Sequence, residues 1–291
     1  MTIHYTLPTF SDFLSSCSTR ESTISFLIEK GIISAERTCI CDHQIRPNAQ
    51  RHKYRCTLRR CNKEVSVYVN SFFAGAKIPC NKVLEIAYFW LSKASATQIA
   101  TYTGISGKTV QAYVGHLQQL TADSLEDEDF VVGGNGIVVE VDETKLGKRK
   151  YNRGHRVEGV WVFCSVERTL ERKIFVKQLE NRNSATLTEL ILRHIHPGSI
   201  IVTDCWRGYS DLTAYDLTHI TVNHSIEFKN NQTGACTNAV EGNNNALKML
   251  IPPRKRTKKV NDTLWEFIWR RKNENDLWNG FISALQMIEY T

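Results

Sequence analysis

GIVVEVDET, residues 136–144, reads as a buried strand: apolar and β-branched residues fill both of its faces until the run ends on Asp142 and Glu143. SIIVTDCW (199–206) has the same form and ends on Asp204, while TNAVEGNNNALK (237–248) carries Glu241 in a helical pattern. Between them, VWVFCSVER (160–168) and RKIFVKQLE (172–180) read as strands, ATLTELILRHI (185–195) as a helix closed by Pro197-Gly198, and HITVNHS (219–225) as a fifth strand. The order βββαβ, short helix, β, α implies an α/β (α+β) domain, a mixed sheet covered by helices.

That order is also the order of the RNase H-like fold. It sets the first and fourth strands side by side, so that Asp142 and Asp204 meet at their ends and a helix after the fifth strand presents Glu241 across the gap. Three such carboxylates suit two-metal phosphoryl transfer, in which hard divalent ions take oxygen ligands and keep several waters. Read singly, each acid has an ordinary explanation as a turn, a helix cap or a solvated helix position. Alternation leaves open whether Asp142 or Glu143 points inward, since both faces of the run are largely apolar.

Upstream, residues 1–34 read as a helical lead-in ending at Gly31. Residues 35–75 hold Cys39, Cys41, Cys56 and Cys61 among many Arg and Lys, with β-like pieces such as EVSVYV (64–69). So short a segment builds little core unaided, and four thiolates suit tetrahedral Zn2+ in a zinc-ribbon-like module. The Cys-Ile-Cys pair has one residue between its ligands where a knuckle usually has two, which leaves His43 as an alternative ligand.

Residues 80–121 form a helix-turn-helix-like region. A turn at Gly104-Ile105-Ser106 leaves Lys108, Thr109, Gln111 and Tyr113 near the exposed start of its second helix, the place from which such helices meet base edges. LEDEDF (125–130) and Gly133-Gly134 mark a linker, 133–250 is the carboxylate-bearing domain, and 251–291 combines the basic run RKRTKK (254–259) with an aromatic-rich helix containing Trp265, Phe267, Trp269 and Trp278. Cys164 and Cys205 read as small core residues.

The chain has 291 residues, a net charge of +7 and nine cysteines. The charge permits an anionic partner without requiring one. An odd cysteine count fits reduced thiols better than a disulfide framework, and no apolar run reaches the roughly 18 residues of a membrane span. With no signal-peptide pattern at the N-terminus, an intracellular location is expected.

VEVDETKLGKRKYNRGHRVEGVWVFCSVER (139–168), HIHPGSIIVTDCWRGY (194–209), VNHSIEF (222–228), TNAVEGNNNALK and EFIWRR (266–271) together resemble the DDE transposase domain of the ISXO2-like group, which comprises bacterial IS1595-type insertion sequences and eukaryotic Merlin elements. The resemblance implies an acidic triad of Asp142, Asp204 and Glu241 and Mg2+- or Mn2+-dependent DNA cleavage and strand transfer. Double-stranded DNA is the implied partner, as terminal inverted repeats and target, and the pairing of two ends implies a homo-oligomer. It also favours zinc at the four cysteines.

Lys148, Arg149, Lys150 and Arg153 then read as backbone-holding cations beside the site. His224 is either a phosphate-positioning group or a hydrogen-bonded core histidine. The RKRTKK run is either a phosphate-binding strip or a nuclear-import signal, the latter placing a eukaryotic member in the nucleus. One departure stands out: Asn244 lies where the group usually has Trp, two residues after the Glu-Gly of the triad. The alternatives are a domesticated DNA-binding protein without transposition activity and a nuclease that cuts without joining.

Overall fold

In the computed structural model the residues described are 7–147, 159–215, 217–222, 236–251, 256, 260–288 and 290. They form two compact units, one of residues 1–124 with 273–291 and the other of residues 125–272.

The first unit opens with α1 (Phe10–Cys17) and α2 (Arg20–Glu29), capped by Thr9 and by a Thr19/Ser22 capping box. Short strands follow. β1 (Arg37–Thr38) pairs with β2 (Gln44–Ile45), and β3 (Pro47–Asn48), β4 (Lys53–Arg55) and β5 (Glu64–Ser66) make an antiparallel three-stranded sheet. The strand expected over 64–69 stops at Ser66, because Val67 and Tyr68 leave the ladder to be buried in a turn.

α3 (Cys80–Leu91) is apolar on nearly every side and forms the centre of this unit. α4 (Ala96–Thr103) ends on Gly104, whose φ of 69° supplies the left-handed cap, and α5 (Gly107–Asp123) begins at once with Ser106 accepting from the Thr109 amide. Ile99 and Val110 are fully buried, which packs this helical pair together.

The second unit is built on a five-stranded mixed sheet of β6 (Val138–Leu146), β7 (Val160–Glu167), β8 (Ile174–Leu179), β9 (Ile200–Asp204) and β10 (Thr218–Val222). Its spatial order is β10-β9-β6-β7-β8. β6, β7 and β8 run as an antiparallel meander, and β9 and β10 lie parallel to β6 on its other side. α6 (Ser184–His194) crosses from β8 to β9, a 3-10 segment (Arg207–Tyr215) precedes β10, and α7 (Asn238–Leu250) and α8 (Asn261–Lys272) follow. α7 packs on β6 and β7, and α8 packs on β8.

Gly133-Gly134 is bound to the sheet edge, unlike a free linker. The Gly133 amide donates to Glu167 Oε1 at 2.6 Å, the Gly134 amide donates to Ser199 Oγ at 3.0 Å, and Val132 bridges to Ile195. The single aromatic-rich helix expected in the tail is two helices. α9 (Leu277–Met287) belongs to the first unit, where Trp278 meets the Phe13 ring edge-on at 5.6 Å. Among the described residues no helix is long and apolar enough to cross a membrane.

Candidate active site

Asp142 and Asp204 are brought together by strand register. β6 pairs with β9 in parallel at Val138↔Ile200, Val139↔Ile201 and Glu140↔Val202. The pairing stops there; the same register continued by two residues would set Asp142 level with Asp204 on the face that carries Glu140, and the charge of Asp204 acts on Asp142. α7 covers that face, so Glu241 at its first turn approaches from above.

Asp142 is held up to about 6 from its ordinary 3.8 by burial, then by the neighbouring carboxylates of Glu143, Asp204 and Glu241. Its Oδ2 accepts a 2.8 Å hydrogen bond from Asn244 Nδ2, one turn beyond Glu241. Asp204 Oδ1 accepts from the Trp206 amide at 3.0 Å, and Glu241 Oε1 accepts from Thr237 Oγ1 at 3.0 Å.

The choice between Asp142 and Glu143 that alternation left open is settled by their partners. Glu143 lies on the opposite face, where Tyr209 donates its hydroxyl to Oε1 and Arg182 bonds Oε2 at 2.8–2.9 Å. The Arg182 guanidinium is clamped between Trp161 and Trp206, 4.5 and 3.8 Å from their ring centroids. Burial pushes the Glu143 carboxyl and the Tyr209 hydroxyl upward, and Tyr209 is raised further by the charge of Glu143.

Sequence reasoning missed Glu140. It is 1 % exposed, and its Oε2 accepts from the amides of Ala239 and Val240 at 2.8 and 3.0 Å. Thr237, the residue at the N-cap of α7, makes no side-chain cap there, so a strand carboxylate satisfies the orphan amides instead. Arg168 reaches the buried carboxylate from the surface, bonding Glu140 Oε1 at 2.6 Å and the Cys236 carbonyl at 2.5 Å. The signal was an acid two residues before Asp142 in an otherwise apolar strand, hence on the same face.

The donor set around Asp142 is all hard oxygen, and the buried Asn244 Oδ1 has no hydrogen-bond partner among the described residues. Those features fit a divalent cation. The charges of Asp204 and Glu241 both act on Asp142.

The four cysteines form a compact cluster. Cys39, Cys41, Cys56 and Cys61 place all their sulfurs within 4.8 Å, with Cys39–Cys61 and Cys41–Cys56 both at 3.6 Å. Bonds of about 2.3 Å to a tetrahedral Zn2+ give sulfur separations of about 3.8 Å, so this cluster could hold zinc. The short Cys-Ile-Cys loop closes because Asp42 takes a left-handed φ of 61° and donates its amide to the Cys39 carbonyl. His43 is not needed as a ligand; its ring pairs with Thr57 Oγ1 at 3.1 Å. The Cys41 amide, ahead of other causes, draws the Cys39 thiol down to about 7.

Lys108 is exposed at the first turn of α5, on a face shared with Gln111, Gly115 and Gln119. Lys148, Arg149, Lys150, Arg153, His224 and most of the 254–259 run lie outside the described residues. Cys164 is buried as expected, but Cys205 is exposed, because the chain leaves the sheet at Asp204.

Residues 132–268 match the ISXO2-like transposase domain. Over 59 residues the chain is 36% identical to an uncharacterized transposase-like protein of Haemophilus influenzae (strain ATCC 51907 / DSM 11121 / KW20 / Rd), a similarity covering 20% of this chain and 48% of the relative. The chain thus spans about half the length of the curated relative it matches. The matched region begins at Val132, which bridges to Ile195 just past α6, and ends within α8, so it contains all three acids and the five-stranded sheet. Over residues 132–268 the chain is therefore similar to ISXO2-like transposases.

Proposed function

We propose that the protein is a DDE-type transposase acting by divalent-metal-dependent cleavage and strand transfer at DNA ends, with Asp142, Asp204 and Glu241 as the metal-holding carboxylates. The observation that carries this reading is the β6–β9 register, which, continued by two residues, would set Asp142 level with Asp204 beneath the helix bearing Glu241. The strand order supports an RNase H-like fold, with the meander first and the parallel strands after it.

Bound divalent ions would activate the attacking oxygen and stabilise the leaving one. The chain's own residues do the positioning. Asn244 orients the Asp142 carboxylate, the Trp206 amide orients Asp204, and Glu140 pins the start of α7 so that Glu241 faces the strand ends. Zinc at the four cysteines and backbone contacts from α5 would hold the DNA-binding part together. Pairing of two ends calls for at least a dimer.

The test is incubation of the full chain with duplexes carrying cognate terminal repeats in Mg2+ or Mn2+. Nicked ends and joined products, both lost in Asp204→Asn, are expected. Nicks without joined products would make it a nuclease, and tight binding with neither product would reduce it to a DNA-binding protein.

A further inference from the structure

The central strand β4 alternates exposed, buried, exposed, and β5 beside it is exposed throughout. Tyr54 points inward, buried, with its hydroxyl donating to the Ser34 carbonyl at 2.5 Å, so its neighbours Lys53 and Arg55 stand together on the outer face. That face lines an open groove of about 660 Å³. Its walls carry five cations, Arg46, Arg51, Lys53, Arg55 and Arg59, against one carboxylate, Glu64.

Glu64 is already neutralised. Lys53 bonds it at 2.6 Å and Arg55 approaches at 3.7 Å, which draws its carboxyl below the usual range. Arg46 is paired with Glu36 at 2.7 Å. Arg51 and Arg59 are exposed and form no ion pair among the described residues. Holding five like charges on one small face costs self-repulsion that Glu64 and Glu36 together do not offset.

The spread of these charges describes the ligand. Lys53 and Arg55 lie roughly 7 Å apart along one strand, with the others on flanking loops, so they meet a repeated anion better than one compact anion. No Phe, Tyr or Trp lines the groove. Single-stranded binders use aromatic platforms for exposed bases, and their absence from the groove walls favours a backbone whose bases are stacked away inside a duplex.

We propose that this groove binds the phosphodiester backbone of duplex DNA, with Arg51 and Arg59 as its unpaired phosphate contacts. The choice of DNA over RNA rests on the transposase reading, while the groove itself does not. Its neighbour is the cysteine cluster, since Cys56 lines the groove and shapes one of its walls.

The experiment is fluorescence anisotropy of the full chain on a labelled duplex of about 30 base pairs, titrated over a range of salt without Mg2+ or Mn2+. Arg51→Gln/Arg59→Gln is expected to weaken binding about tenfold and to flatten the log K against log salt slope by about 2, because each lost phosphate contact removes about 0.9. Lys77→Gln/Lys173→Gln, equal in charge change and exposed elsewhere, is the control. Unchanged affinity and slope in the groove variant would overturn the proposal, as would an equal fall in the control. So would tighter binding of single strands or duplex RNA, or no duplex binding by the wild type. A groove effect in a protein that never cleaves sinks the catalytic reading alone. Normal cleavage and binding by the groove variant sinks this one alone.

Discussion

Asn244 on α7 donates its Nδ2 to Asp142 Oδ2 on β6 at 2.8 Å, across a sequence separation of 102 residues. The polar residue that departs from the usual Trp of this transposase group is therefore in contact with the proposed triad. A hydrogen bond to a charged carboxylate contributes about 1.5–3 kcal/mol. Asn244→Leu should keep the fold yet lower metal-dependent cleavage at least tenfold, whereas Asn244→Gln should recover part of it. Equal rates for Leu and wild type would show that the contact has no role in catalysis.

Asp142 also makes stability depend on pH. Its carboxyl is raised from 3.8 to about 6, so between those values the native state keeps a proton that the unfolded chain has released. Stability therefore falls as pH rises through that window and levels off above it. Asp142→Asn removes this cost and should be about 3 kcal/mol more stable than wild type near pH 7, with the gap closing below about pH 4. Urea denaturation at a series of pH values reads this, and a gap independent of pH would refute it. Added Mg2+ should stabilise the wild type and leave Asp142→Asn unmoved.

Glu140 should matter to folding more than its place in a strand suggests. Glu140→Ala removes the cap of α7 and leaves the Ala239 and Val240 amides without their acceptor, costing about 1–3 kcal/mol. Glu140→Gln keeps an acceptor for the two amides and should cost clearly less. Hydrogen exchange at Ala239 and Val240 should accelerate in the Ala variant, and unaltered protection there would remove Glu140 as the cap.

Zinc content should be one ion per chain, falling to a small fraction in Cys56→Ser. Chelation should release the ion and expose the residue 35–75 module to proteolysis, while the sheet of β6 to β10 keeps its near-UV signal. Full protection of the module after the metal has left would mean that it folds without one.

Strand pattern made much of the second unit legible. The apolar runs ending at Asp142 and Asp204, the helix carrying Glu241 and their order along the chain are local features, and local hydrophobic periodicity is carried by a few neighbouring residues. The Gly104 turn was legible for the same reason, since a left-handed φ at a helix end favours glycine. Boundaries were less so: the tail divided into α8 and α9, because tertiary packing claims their apolar faces for different units.

The acids themselves show where local reading stops. Composition and spacing were enough to name Asp142, Asp204, Glu241 and the four cysteines as groups that could act together, because residue type and order limit the chemistry available. Whether Asp142 or Glu143 faced α7, that Asn244 bonds Asp142, and that Glu140 caps a helix 99–100 residues away all turned on partners from distant elements. Those partners come into reach when β6 takes its register against β9, and a shift of one residue would reverse the face of every one of these side chains.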